Sequence, residues 1–285
     1  MVWIPFRKSN IVKPSWSYTT SGSLWRILPS SHYFVGEDRD TSTKHVSFFC
    51  LDRRTGNVFW QHKSFDEQWW IGLEAIHGDM LFLHRYASPD MPEHQGILAI
   101  DIRSGSILWK NDDMRFLLAS GDAVCSCKHG FEKISFYLLE RENGKLRREI
   151  DPDEMQAFNR SAENEPAIVE LPAPAGESVQ KMLEHTLQQS GKPIHGILQT
   201  ECLHRDPYLL SSFYESMSAD VSAPSFRQHF VIVSPGQSAL YYHEVVTTDT
   251  RSPVGDAFFC IEDSVYFIGE KKRLTAINLS NIIGG

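Results

Sequence analysis

Three sets of side chains in this sequence have types and spacings that could do chemistry. Cys125-Ser126-Cys127-Lys128-His129 places two thiols two residues apart, with an imidazole close behind. On a strand the two thiols share a face, and thiolates with imidazole suit zinc. No second ligand pair stands elsewhere at metal spacing, and cysteine is a common small core residue, so no metal ligand is assigned. Asp66-Glu67-Gln68-Trp69-Trp70 sets two acids beside two indoles able to stack on a sugar or another planar ring. On a strand those indoles face opposite sides, so one lines any pocket and the other packs. The 12 histidines, including His77, His84, His195, His204, His229 and His243, are scattered. None sits in an HExxH pattern, and a GxSxG elbow, a Walker loop and a GxGxxG turn are absent. No catalytic residue is assigned, and no cofactor is expected.

The elements that must position such groups come from a repeat. Phe48-Phe49-Cys50-Leu51-Asp52 leads through Gly56 to Trp60, and Ile97-Leu98-Ala99-Ile100-Asp101 leads through Gly105 to Trp109. In both copies the glycine follows the aspartate by four residues and the tryptophan follows the glycine by four. This reads as strand, tight turn and strand: the Asp side chain holds turn N–H groups, and Gly takes the positive φ. A third copy has Glu140 for the acid, Gly144 at the turn and Arg148 in the tryptophan column. Leu274 to Leu279 matches a fourth time, with Asn278 in the acid column. Turns feeding strands recur upstream at 77–83, 120–125 and 262–267. Units of this length with several short strands are the signature of propeller blades.

Five units are countable, at about 24–62, 69–110, 116–150, 229–246 and 257–279. Between the third and fourth the pattern breaks. Residues 149–165 hold six acids (Glu149, Asp151, Asp153, Glu154, Glu163 and Glu165) against Arg160, and 166–176 carry three prolines. This reads as a linker or surface excursion. Val179, Met182, Leu183 and Leu187 then share one helical face that Gly191 and Pro193 end. A second helix is expected from Asp206, with Pro207 at its first position and Leu209, Leu210, Phe213 and Met217 as its face.

The chain has 285 residues, 41% hydrophobic and 22% charged, and a net charge of −8, which speaks against a nucleic-acid footprint. Met1 to Lys8 lacks the apolar segment of a signal peptide, and no window is apolar enough for a spanning helix. Five scattered cysteines (Cys50, Cys125, Cys127, Cys202, Cys260) do not form a disulfide framework, so a reducing cytoplasm is expected.

The repeat resembles that of quinoprotein-like, pyrroloquinoline-quinone-type β-propellers. In that family the repeat tryptophan packs between neighbouring blades, and Trp60 and Trp109 match it, as Gly56 and Gly105 match the turn. The resemblance implies a scaffold shared by enzymes and assembly proteins alike. Quinone binding is not carried over: the cysteines at 125 and 127 are not adjacent, unlike the ring-forming pair of the cofactor enzymes.

The expected fold is therefore all-β, a propeller of five to seven four-stranded blades. It forms a single domain over 1–285, with an acidic, proline-rich and helical insertion at 150–220. Val2-Trp3-Ile4-Pro5-Phe6 is expected to pair beside the strand 274–279 and close the ring. The expected function is a non-catalytic interaction scaffold or ligand-binding module. A protein partner would dock on the propeller face or the helical insertion, with no nucleic acid and no membrane. The alternative is an enzyme with its site at the central channel.

Overall fold

A computed structural model describes residues 12–283, except 89–90, 131–132, 164–168, 193, 195, 219–221, 254 and 256. Its elements are numbered in chain order, and the first strand, β1 (Trp16–Thr19), pairs with a strand far along the chain. Contacts divide the chain into two compact units, Thr20–Ile168 and a second formed by Met1–Thr19 with Val169–Gly285.

In the unit Thr20–Ile168 three antiparallel meanders follow one another. The first is β2 (Ser23–Pro29), β3 (Tyr33–Asp40), β4 (His45–Asp52) and β5 (Val58–Lys63). The second is β6 (Ile71–His77), β7 (Met80–Ser88), β8 (Met91–Asp101) and β9 (Ile107–Asn111). The third is β10 (Arg115–Ser120), β11 (Ala123–His129), β12 (Ile134–Glu140) and β13 (Leu146–Ile150), joined to the second by one parallel bridge, Arg115 to Gly96. The central strands of the first two are buried on both faces. Val35, Val46, Phe48 and Cys50 of the first sheet pack with Ile71, Leu81, Leu83 and Ile100 of the second.

The repeat accounts for how these sheets hold together. Asp52 Oδ1 accepts the Arg54 and Thr55 N–H groups at 3.0 and 2.8 Å, and Asp101 Oδ1 accepts that of Ser104 at 2.7 Å. Gly56, Gly105 and Gly144 close the three turns at φ of 71°, 66° and 69°. Trp60 Nε1 then donates to the Ile102 carbonyl at 2.8 Å, and Trp109 Nε1 to the Arg141 carbonyl at 2.7 Å. Ile102 and Arg141 each follow the turn acid of the next repeat. The indole also lies on the next turn glycine: a Cβ on Gly105 would stand 3.0 Å from Trp60, and one on Gly144 2.5 Å from Trp109. Each tryptophan thus clasps the following sheet, and each glycine is needed both for its backbone and for the ring above it. Trp109 is buried and Trp60 half-buried. Arg148, which replaces the third tryptophan, bonds Glu154 at 2.7 Å. Glu154 belongs to helix α1 (Pro152–Glu163), so the acidic stretch is in part a helix rather than a linker.

The second unit holds two sheets. One runs β14 (Ala173–Pro174), β15 (Ile197–Arg205), β16 (Tyr208–Ser216), β17 (Phe226–Ser234) and β18 (Ala239–Thr250). Helix α2 (Glu177–Gln189) appears where expected, and its Leu183 and Leu187 pack on Leu209, Phe213, Val231 and Val233. The helix expected from Asp206 does not form. Asp206 and Pro207 make the turn between β15 and β16, with Arg205 opposite Tyr208. The physical reason is burial on both faces: Leu209 and Phe213 meet α2, while Tyr208 and Leu210 join the opposite cluster. Such a strand is apolar throughout and mimics a helical face. Residues 197–216 are therefore paired strands of this sheet rather than helix.

The other sheet runs β1, β21 (Arg273–Asn278), β20 (Ser264–Gly269) and β19 (Phe258–Ile261). The expected closing strand at residues 2–6 lies outside the described residues. The strand beside β21 is β1, with Trp16 opposite Ala276 and Thr19 opposite Arg273. Among the described residues no helix is long and apolar enough to cross a membrane.

Candidate functional site: two histidine clusters and an indole–guanidinium stack

In the unit Thr20–Ile168, three neighbouring strands bring Glu74, His84 and His94 together, with one donor atom of each within 4.8 Å of the others. Irregularities in the ladder aim them. Glu74 is the extra residue between the pairs Leu73–Leu83 and Ala75–Phe82, and the register slips again beside His84, opposite Gly96 and Ile97. Bulges of this kind redirect side chains. His94 Nδ1 lies 2.8 Å from Glu74 Oε2, and His84 Nδ1 lies 3.3 Å from the Arg85 carbonyl oxygen. The two imidazoles stack with centroids 3.5 Å apart, and Tyr86 meets both edge-on. Burial, then the charge of His94, drives the His84 pKa down to about 3, and burial raises that of Glu74 against the pull of His94. Gly72 makes room: a Cβ there would stand 2.8 Å from His84 Nε2 and 3.1 Å from Glu37 Oε1.

Next to it, Glu37 and Arg39 form a buried ion pair at 2.8 Å. Glu37 Oε1 also accepts the Leu73 N–H at 2.7 Å, and Arg39 donates to the carbonyls of Trp69 and Ile71 at 2.9 and 2.5 Å. This network fixes the guanidinium 5.8 Å from the ring of Trp25 and 5.1 Å from that of Trp69. Trp25 is 63% exposed.

The second unit has its own cluster across β16, β17 and β18. His229 Nε2 lies 3.2 Å from Glu215 Oε2, His229 Nδ1 2.9 Å from His243 Nε2, and His243 Nδ1 3.3 Å from Lys192 Nζ. The chemistry of the end groups orders every proton. The ammonium only donates, so His243 Nδ1 accepts, its Nε2–H donates to His229 Nδ1, and His229 Nε2–H donates to the carboxylate. Burial first of all lowers both pKa values, that of His243 to about 4, so both rings stay neutral near pH 7.

The candidates read from sequence fare differently. Cys125 and Cys127 are buried free thiols. Burial, then the neighbouring Cys127, pushes the Cys125 thiol up to about 11, while burial also raises that of Cys127. His129 instead contacts Arg115 at 2.9 Å. Asp66 pairs with Arg85 at 2.7 Å, and Glu67 accepts the N–H groups of Trp69 and Trp70 at 2.9 Å each, so both acids serve local structure. Trp69 and Trp70 lie in a bend before β6 rather than on a strand, which frees them from opposite faces: Trp69 meets Arg39, and Trp70 meets Tyr86. His84, His229 and His243 enter clusters, whereas His195 lies outside the described residues. Glu74, His94, Glu215, Lys192, Trp25 and Arg39 were not marked by any motif. The one linear trace is that residues 74, 84 and 94 recur every ten positions, the span of a strand and its turn.

The family described as a domain of unknown function, DUF4905, matches residues 27–109. No curated protein matches the chain. Similar solved structures include BamB from Moraxella catarrhalis, 10% identical with a TM-score of 0.29, over 94% of this chain and 89% of that one. The Dos1 propeller is 8% identical with a TM-score of 0.31, over 89% and 68%. The alpha-L-arabinofuranosidase Arb93A from Fusarium graminearum, solved with an iminosugar inhibitor, is 8% identical with a TM-score of 0.30, over 96% and 99%.

Proposed function

We propose that this chain is a non-catalytic binding module on a β-propeller scaffold of the quinoprotein-like type. Its blades are the five antiparallel sheets, four of four strands and one of five, the last completed by β1, and it works in the cytoplasm on a protein partner. The observation that supports a binding role is the exposed indole of Trp25, backed by Arg39. Trp and Arg are the residues that dominate contact energies, and a ring held by a buried ion pair loses little freedom on binding. The helical insertion is a poorer docking element, because Leu183 and Leu187 of α2 are already packed on their own sheet.

The test is affinity capture with wild-type, Trp25→Ala, Trp69→Ala and Leu146→Ser proteins, followed by reconstitution with the purified partner. A partner bound by wild type and Leu146→Ser, and weakened at least about tenfold by either tryptophan variant, supports the reading; one hot-spot residue carries that much. Equal binding by all four proteins refutes this surface. Turnover of a substrate by the purified protein would replace the module with an enzyme.

A further inference from the structure

We infer that Glu74, His84 and His94 form a binding site for a divalent transition cation of the zinc class. Two imidazoles and one carboxylate are a sufficient protein ligand set for zinc, with a fourth position left to solvent or a partner's group. His84 already has its outer nitrogen engaged as a ligating histidine requires: its Nδ1 faces a backbone carbonyl, an acceptor, so the neutral ring carries its lone pair on Nε2. His94 Nδ1 lies 2.8 Å from the Glu74 carboxylate, and these two side chains are the remaining donors. His84 is 2% exposed, so bulk water does not reach its ring. The space in front of its Nε2 exists only because residue 72 is glycine. Gly72 has no positive φ, so it is the neighbouring side chains, not the backbone, that need a residue without a Cβ there.

The rings now lie 8° from parallel. A metal sits in the plane of each imidazole it binds, so capture by both must open the stack. His84 is walled in, whereas the His94 side chain is 38% exposed and is the ring that turns. Glu74 supplies the third donor through its carboxylate. The contrast with the other cluster is chemical: in Glu215–His229–His243–Lys192 each ring nitrogen already has a hydrogen-bond partner, and no lone pair is left for a cation.

The experiment is equilibrium dialysis of the full chain against zinc, followed by metal analysis, with cobalt substitution as an optical report on coordination. Wild type should retain one equivalent of zinc, and the cobalt form should show the intense visible bands of a four-coordinate site. Glu74→Gln should weaken binding by about 100-fold or more, because it removes one of the three protein ligands. His84→Ala should abolish binding. His94→Gln, at a half-exposed position, should do the same while leaving the melting curve of the metal-free protein intact, which separates loss of a ligand from loss of fold. His243→Gln should bind as wild type does. Failure of wild type to retain zinc, or retention undiminished in His94→Gln, would overturn the assignment, as would loss of the metal on changing Cys125 or Cys127 alone.

Discussion

The two units solve the same problem, joining stacked antiparallel sheets, by different means. In Thr20–Ile168 the joint is a repeated side chain: Trp60 and Trp109 each reach over the next turn to bond a carbonyl and cover a glycine. In the second unit all tryptophans but Trp3 and Trp16 are missing; the long sheet packs directly on the other through Phe230, Phe258 and Phe267, and α2 covers its opposite face. The polar clusters differ in parallel. Glu74–His84–His94 leaves imidazole lone pairs unengaged, whereas the chain from Lys192 to Glu215 uses both nitrogens of each ring. A histidine cluster is thus better interpreted by counting engaged nitrogens than by counting histidines.

The clasp offers the largest effect with which to break this contrast. Trp109→Ala should cost about 3–5 kcal/mol, the range for deleting a buried large aromatic, and Trp60→Ala less, because that ring is half-buried. Denaturant melts should show the ranking. Equal and small losses would mean the tryptophans decorate the sheets rather than join them. In the second unit the matching change is Leu187→Ala, at about 2–5 kcal/mol for a fully buried aliphatic. If Leu187→Ala proves harmless, α2 is not the cover of that face.

The clasp was legible in the sequence because it recurs: acid, glycine and tryptophan at fixed offsets need only be noticed twice. The first three meanders followed from the same repeat, and α2 from the helical spacing of Val179, Met182, Leu183 and Leu187. Asp206 to Met217 was misleading because a strand buried on both faces has no alternation, and its apolar spacing then passes for a helix. Asp151-Pro152-Asp153-Glu154 did carry a helix start, an N-cap acid with Pro behind it and Glu three residues on, but the run of acids around it reads more readily as solvated chain. The histidine clusters left almost no trace. Their members lie on neighbouring strands, and the bulges at Glu74 and beside His84 that aim them are invisible before the register is known.

The next effect is pH-dependent, and it separates protonation at the two clusters. His84 and His243 titrate near 3 and 4 in the folded chain against about 6.5 when unfolded. A depressed histidine binds fewer protons folded than unfolded, so stability rises with pH across the gap. It is complete above about pH 6.5 and lost as pH falls toward 4. Melting temperatures measured from pH 7 to 4 should therefore fall. His243→Gln, which cannot be protonated there, should flatten part of the slope while leaving the contribution of His84. An unchanged slope would mean that Lys192 and His229 do not hold His243 as described.

The smallest effects concern how α1 and α2 are held, α1 by its first turn and α2 by its face. Asp151 Oδ1 accepts the Glu154 N–H at 2.8 Å, and Glu154 Oε2 accepts the Asp151 N–H at 3.2 Å, a reciprocal capping box. Asp151→Ala should thus lose about 1 kcal/mol. At the corresponding place α2 has Gly176, extended at φ −77° and ψ 172°, with no side-chain cap. Nothing stands within 4 Å of where a Cβ would be, so a side chain there meets no obstacle. Ser at 176 would find the extended backbone an N-cap needs and donor N–H groups of the first turn ahead of it. Glycine is already a tolerable cap, so Gly176→Ser should gain only a few tenths of a kcal/mol, a rise of roughly 1 °C in a chain of this size. The sign decides. A gain means α2 is anchored by its buried face with its N-terminus left unoptimised. A loss would mean that residue 176 needs glycine for a reason other than the cap, and the contrast between a face-held and an end-held helix would fail.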